Sequence, residues 1–117
     1  MASGMGGSCE VNVSHGYPSL FNDPVLTGKL YLLASEYLGA DHVKELEQRM
    51  TAEDFAYFAR ELPSCLFRLG IANKEQGISS NLHTSTFDVD EQSLLTGMGL
   101  MAWFAIRLLK VSVNKEQ

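Results

Sequence analysis

Apolar and polar residues alternate with a period of two along Cys9-Glu-Val-Asn-Val-Ser-His15, which predicts a half-buried strand. Gly16-Tyr-Pro18 breaks it, and Asn22-Asp23-Pro24 then supplies a helix N-cap followed by proline in the first turn. Leu26, Leu30, Leu33, Ala34 and Tyr37 recur at helical spacing, and Gly39 is expected to close that helix as a left-handed cap. Val43 to Met50 reads as a short extended segment. Thr51-x-x-Asp54 resembles a capping box and predicts a helix through Leu62, with Phe55, Phe58, Ala59 and Leu62 on one face and Pro63 as its stop. Residues 64–71 have the length and content of a buried strand. Residues 72–87 read as loop, because Asn, Gly and Ser dominate and periodicity vanishes.

A last helix is predicted from near Asp90 to about Lys110. Its stripe is Leu95, Met98, Ala102, Ile106 and Leu109, backed by Leu94, Met101, Ala105 and Leu108. A helix apolar on nearly all sides must be covered on nearly all sides, and so small a domain hardly supplies that cover. Gly97 and Gly99 each cost about 1 kcal/mol against Ala in a helix interior, which predicts close approach by a neighbouring element. Met98 and Met101 read as core filler. The elements together predict an α/β fold of two or three strands and three helices.

The chain has 117 residues, enough for one modest domain, and 45% of them are apolar. A net charge of −5 with the nine Lys and Arg scattered argues against a nucleic-acid partner. The apolar run Leu94–Leu109 is interrupted by Thr96, two glycines and Arg107 and is shorter than the ~20 residues of a membrane span, so a buried helix is expected and no membrane partner. Cys9 and Cys65 lie in apolar runs without metal-site spacing and read as buried free thiols. With no secretory cleavage pattern, the chain reads as soluble and cytoplasmic.

Among chemistry-bearing residues, His83 stands out. A polar loop presents it just before a helix opened by Asp88, Asp90 and Glu91. Imidazole binds borderline metals through one nitrogen while a carboxylate holds the other, and Asp88 or Asp90 suits that supporting part. The alternative is a solvated loop histidine. His15 and His42 read as surface residues. Glu53 and Asp54 diverge by roughly 100° on a helix, so Asp54 answers to the positive helix end while Glu53 is freer to reach a pocket. Thr84-Ser85-Thr86 has no glycine elbow and no base at defined spacing, which excludes a nucleophile motif. A catalytic zinc takes about three protein ligands, and His83 is one.

Four segments, Gly16-Tyr-Pro-Ser-Leu-Phe-Asn-Asp23, Met50-Thr-Ala-Glu-Asp-Phe-Ala-Tyr-Phe58, Leu66-Phe-Arg-Leu-Gly70 and Leu82-His-Thr-Ser-Thr-Phe-Asp-Val-Asp-Glu91, occur in the order seen in the M20 metallopeptidases. Over roughly residues 9–110 the chain resembles the carboxy-terminal part of the amidohydrolase branch, which includes aminoacylases, hippurate hydrolases and auxin-conjugate hydrolases. The resemblance implies a partial M20 catalytic domain over residues 17–117, preceded at residues 1–16 by a remnant strand of the lid, or dimerisation, domain. It implies an amide-bond hydrolase acting on N-acyl amino acids or small peptides with a divalent metal, zinc or manganese. His83 matches the last metal ligand of the family pattern; Glu53 falls in the segment that approaches the substrate pocket, and Asp88 would support the ligand. Thr84 and Ser85 stand where the family often has Ser-Pro.

The family's other ligands and its general-base glutamate have no counterpart here. The isolated chain is therefore expected to be inactive, with no catalytic residue and no complete metal site of its own, and to self-associate or dock onto the missing amino-terminal half. The competing expectation is a non-catalytic remnant serving as an interaction or complementing subunit.

Overall fold

Asp23 and Pro24 start the first helix, α1 (Pro24–Leu38), where the sequence places it. In this computed structural model, which describes residues 3–113, the Asp23 carboxylate accepts from the Leu26 N–H at 2.7 Å. Proline in the first turn gives up an N–H that has no helical partner anyway. Gly39 ends α1 with φ 91° and ψ 141°, its N–H donating to the Ser35 carbonyl at 3.0 Å. The positive φ is as expected, but the ψ lies outside the left-handed helical region and leads the chain into a 3-10 turn at Ala40–His42.

The second helix, α2 (Phe55–Glu61), is shorter than the capping-box pattern predicts. Asp54 stands at the N-cap without a side-chain cap bond, and the Glu53 Oε1 accepts from the Phe55 N–H at 3.2 Å instead. Leu62 ends the helix in extended backbone, the conformation a following proline imposes. Of the expected inward face, Phe55 and Ala59 are half-buried while Phe58 and Leu62 are exposed; the buried residue is Ala56.

The third helix, α3 (Gln92–Val113), begins beyond Asp90, whose Oδ1 accepts from the Gln92 N–H at 3.1 Å. It packs on α1. The Trp103 indole donates to the Leu33 carbonyl at 3.2 Å, and Tyr37 lies 6.0 Å from the Trp103 ring. Arg107 reaches Glu36 at 3.0 Å and lies 4.9 Å above the Trp103 ring. The glycines explain the closeness. A Cβ on Gly99 would collide with the Tyr37 hydroxyl and stand 3.1 Å from its ring, and one on Gly97 would meet Leu69 at 2.9 Å.

The packed face of α3 is not the expected stripe. Ser93, Leu100 and Phe104 are buried, with Gly97, Trp103 and Leu108 half-buried beside them, whereas Leu95, Met98, Ile106 and Leu109 face outward. Small residues let α1 and residue 69 approach, so the helix turns its glycine side inward and leaves the bulky stripe uncovered. The expected buried helix is therefore only partly buried: over Gln92–Leu109 its mean hydropathy is 1.2 with 17% of the window buried, long and apolar enough to cross a membrane by length and composition alone.

No strand forms among the described residues. The single pairing there is an isolated bridge between Asn73 and Ile78. Residues 9–15 are exposed coil, residues 43–50 make no ladder, and residues 64–71 form no strand and are at most half-buried. A strand needs a neighbour's N–H and C=O groups, and sequence pattern alone cannot supply the neighbour. Segment 64–66 instead pairs with the Asn22 side chain and the Asp23 backbone. Asn22 Nδ2 donates to the Leu66 carbonyl at 2.9 Å, the Leu66 N–H donates to Asn22 Oδ1 at 2.8 Å, and the Asp23 N–H donates to the Ser64 carbonyl at 2.8 Å. Both cysteines are free, as expected, but neither is fully buried: Cys65 is half-buried and Cys9 exposed.

The apolar side chains buried among the described residues are Ala34, Ala56, Leu100 and Phe104, with Leu30, Leu33, Leu38, Val43 and Trp103 packed around the α1–α3 contact. Phe67 meets Phe104 edge-on at 5.7 Å. The radius of gyration is 20.9 Å and the extents are 70 × 49 × 19 Å. A compact domain of this length has a radius near 13 Å, so the molecule is a thin layer with a small core.

Candidate functional site

His83 sits in the loop that leads from residue 71 to α3. Asn73 and Ile78 exchange backbone hydrogen bonds of 2.8 Å each, closing a tight turn in which Gly77 has φ 77°. The Asn73 Oδ1 accepts from the Glu75 and Gln76 N–H groups at 3.2 and 3.3 Å, an Asx turn. Its Nδ2 donates to Asp90 Oδ2 at 2.8 Å, and the Asp90 N–H donates to the Ile71 carbonyl at 2.9 Å. The loop's two ends are thereby joined.

Above this base, Ser80 and Thr86 hydroxyls lie 2.8 Å apart, the Thr84 hydroxyl donates to the Asn81 carbonyl at 2.8 Å, and the Phe87 N–H donates to the Thr84 carbonyl at 3.2 Å. Within that turn His83 has φ 64°, the one non-glycine residue at positive φ among those described. Histidine enters this region more readily than most residues, and such positions gather at working sites. The hydroxyl run Thr84-Ser85-Thr86 thus serves the turn.

The other predicted residues make no hydrogen bond to His83 among the described residues. Asp88 is exposed, and its Oδ1 accepts from the Val89 N–H at 2.8 Å. Glu53 is half-buried at the start of α2. Among the described residues no three His, Cys, Asp or Glu side chains gather as a metal-binding group, so His83, Glu53 and Asp88 do not together form a donor set. A divalent ion in a hydrolytic site takes about three protein ligands, so the side chains present do not fit a resident metal by themselves. Asn73 and Asn22, which organise the loop and the 64–66 segment, do not stand out in the sequence as functional residues. A signal for Asn73 does exist, an Asn four residues before a Gly.

The model of peptidase family M20/M25/M40 matches residues 2–107. The chain belongs to that family. Among its relatives, an IAA-amino acid hydrolase ILR1-like 6 of Arabidopsis thaliana is 33% identical over 93 residues, covering 80% of this chain and 20% of its own length. Thermostable carboxypeptidase 1 of Saccharolobus solfataricus is 33% identical over 103 residues, covering 87% and 25%. An N-acetyldiaminopimelate deacetylase of Pediococcus pentosaceus is 31% identical over 103 residues, covering 83% and 24%. The chain thus spans about a fifth to a quarter of the length of these relatives. No solved structure matches it. Peptidases of the M20 family are generally dependent on divalent metals, and the match takes in both the His83 loop and α3 up to Arg107.

Proposed function

We propose that this chain is the carboxy-terminal portion of a metal-dependent amidohydrolase that cleaves the amide bond of N-acyl amino acids or small peptides. The observation that carries the reading is the family match over residues 2–107. Three relatives named for a hydrolase, a carboxypeptidase and a deacetylase support it, since each name describes removal of a group held by an amide bond. On this reading residues 1–16 close the lid domain and residues 17–117 belong to the catalytic domain. His83, exposed in its turn, contributes one ligand for zinc or manganese, and the remaining ligands and the general base come from outside this chain. Glu53 borders the substrate and Asp88 supports the ligand loop. The metal, when complete in its ligands, supplies an activated water at neutral pH.

The test is metal titration and an acyl-amino-acid hydrolysis assay on the 117-residue chain and its His83→Ala variant. Weak zinc binding lost in His83→Ala, with no hydrolysis by either, is the expected result. Hydrolysis by the chain alone, abolished in His83→Ala, would overturn the one-ligand reading.

A second reading, an interaction or complementing subunit without chemistry, draws support from the uncovered bulky side of α3, where Leu95, Met98 and Leu109 are each 60% exposed or more. Co-purification with a separately encoded partner distinguishes it.

A further inference from the structure

We propose that Asn73 and Asp90 are the positioning pair of the His83 loop. All four polar side-chain atoms of the pair are engaged. Asn73 Oδ1 accepts from Glu75 and Gln76, and its Nδ2 donates to Asp90 Oδ2 at 2.8 Å. Asp90 Oδ1 accepts from the Gln92 N–H at 3.1 Å. The backbones add the Asn73–Ile78 exchange and the Asp90–Ile71 bond at 2.9 Å. One connected network therefore links the turn at 73–78 to the first turn of α3, across 17 positions of sequence.

Both side chains are half-buried, whereas Asn81 to Asp88 are exposed throughout. Among the described residues, the hydrogen bonds of the upper part of the loop are within itself, through Ser80, Thr84 and Thr86. Its orientation is consequently set at the base, where the charge-assisted amide–carboxylate bond is the one side-chain link between the two ends among the described residues. Releasing that bond leaves the Asp90–Ile71 backbone bond as the remaining link and loosens the His83 turn on its base. The positioning role builds on the reading of His83 as a working residue, but the clamp is tested without substrate or metal.

Asn73→Asp is the discriminating substitution. It keeps the oxygen that accepts from Glu75 and Gln76, replaces the donor by an oxygen, and sets a second carboxylate against Asp90. Lys74 is the one trypsin site between Arg68 and Arg107. Cleavage after Lys74 in the full 117-residue chain should accelerate roughly tenfold, as loss of a charge-assisted hydrogen bond implies, and the His83 ring resonances should shift. The exchanged pair, Asn73→Asp with Asp90→Asn, restores a donor facing a carboxylate while position 90 still accepts from Gln92. It should return both readouts to their original values. An Asn73→Asp chain with unchanged cleavage and ring signals, or an exchanged pair that fails to recover either, overturns the proposal. Inactivity toward acyl amino acids would leave these readouts untouched, so the two readings fail separately.

Discussion

The side-chain amide of Asn22 pairs with the backbone of Leu66 as a neighbouring strand would, donating at 2.9 Å and accepting at 2.8 Å. One side chain thus satisfies both backbone polar groups of a residue that has no ladder. Asn22→Ala should cost about 1–3 kcal/mol, the worth of two part-buried hydrogen bonds. Asn22→Asp, which keeps only the acceptor, should fall between. Urea unfolding followed by Trp103 fluorescence measures both, and an unchanged midpoint for Asn22→Ala would show that residues 64–66 are held by something else.

Three helical glycines make a graded series. A methyl added at Gly28 in α1 would enter open space, one at Gly97 would meet only the end of the Leu69 side chain, and one at Gly99 would meet Tyr37 at its hydroxyl and ring. Gly28→Ala should stabilise by about 0.5–1 kcal/mol from propensity alone. For Gly97→Ala the same gain is offset by displacing a flexible side chain, leaving it near neutral. Gly99→Ala should destabilise, and Tyr37→Phe should recover part of the loss by removing the hydroxyl. Thermal melts rank the three; a stabilising Gly99→Ala would mean that Tyr37 moves aside freely.

The two predicted N-caps separate cleanly. Asp23→Ala removes a 2.7 Å bond to the Leu26 N–H and should cost about 1 kcal/mol. Thr51→Ala should change stability by less than about 0.5 kcal/mol, as for a surface position without a structural bond, because α2 starts at Phe55 with Glu53 meeting its first N–H. Denaturant midpoints of the pair decide the matter, equal losses being the unfavourable outcome.

The outward stripe of α3 predicts association. Leu95 and Met98 are 60% and 63% exposed on a helix whose opposite side is packed. Leu95→Lys with Met98→Lys should lower concentration-dependent association in sedimentation while leaving helical circular dichroism intact. A wild-type chain that stays monomeric at high concentration would remove the basis for the interaction reading.

Helix positions are legible in the sequence because their signals are local. Asp23-Pro24 and Pro63 act within a few residues, and the structure uses both. Strands are not legible, since Cys9–His15 and residues 64–71 carry the right pattern but pair with no strand among the described residues. The orientation of α3 departs from expectation for a different reason. With apolar residues on every side, periodicity does not say which face packs, and the glycines at 97 and 99 decide it through close approach. At the candidate site, the loop that carries His83 and the helix start near Asp90 are legible. The bond from Asn73 to Asp90 is not, because nothing local announces a contact 17 residues away.

A body 19 Å through its thinnest direction is less than two helix diameters deep. The charged side chains among the described residues are all exposed or half-buried, so attraction between opposite charges is weakened by nearby water. Chemistry that relies on dipoles acting in a dry cavity has to wait until a second layer is laid against this one. On the proposed reading, the rest of the catalytic domain lies against this broad face and gives the His83 loop its dielectric shelter.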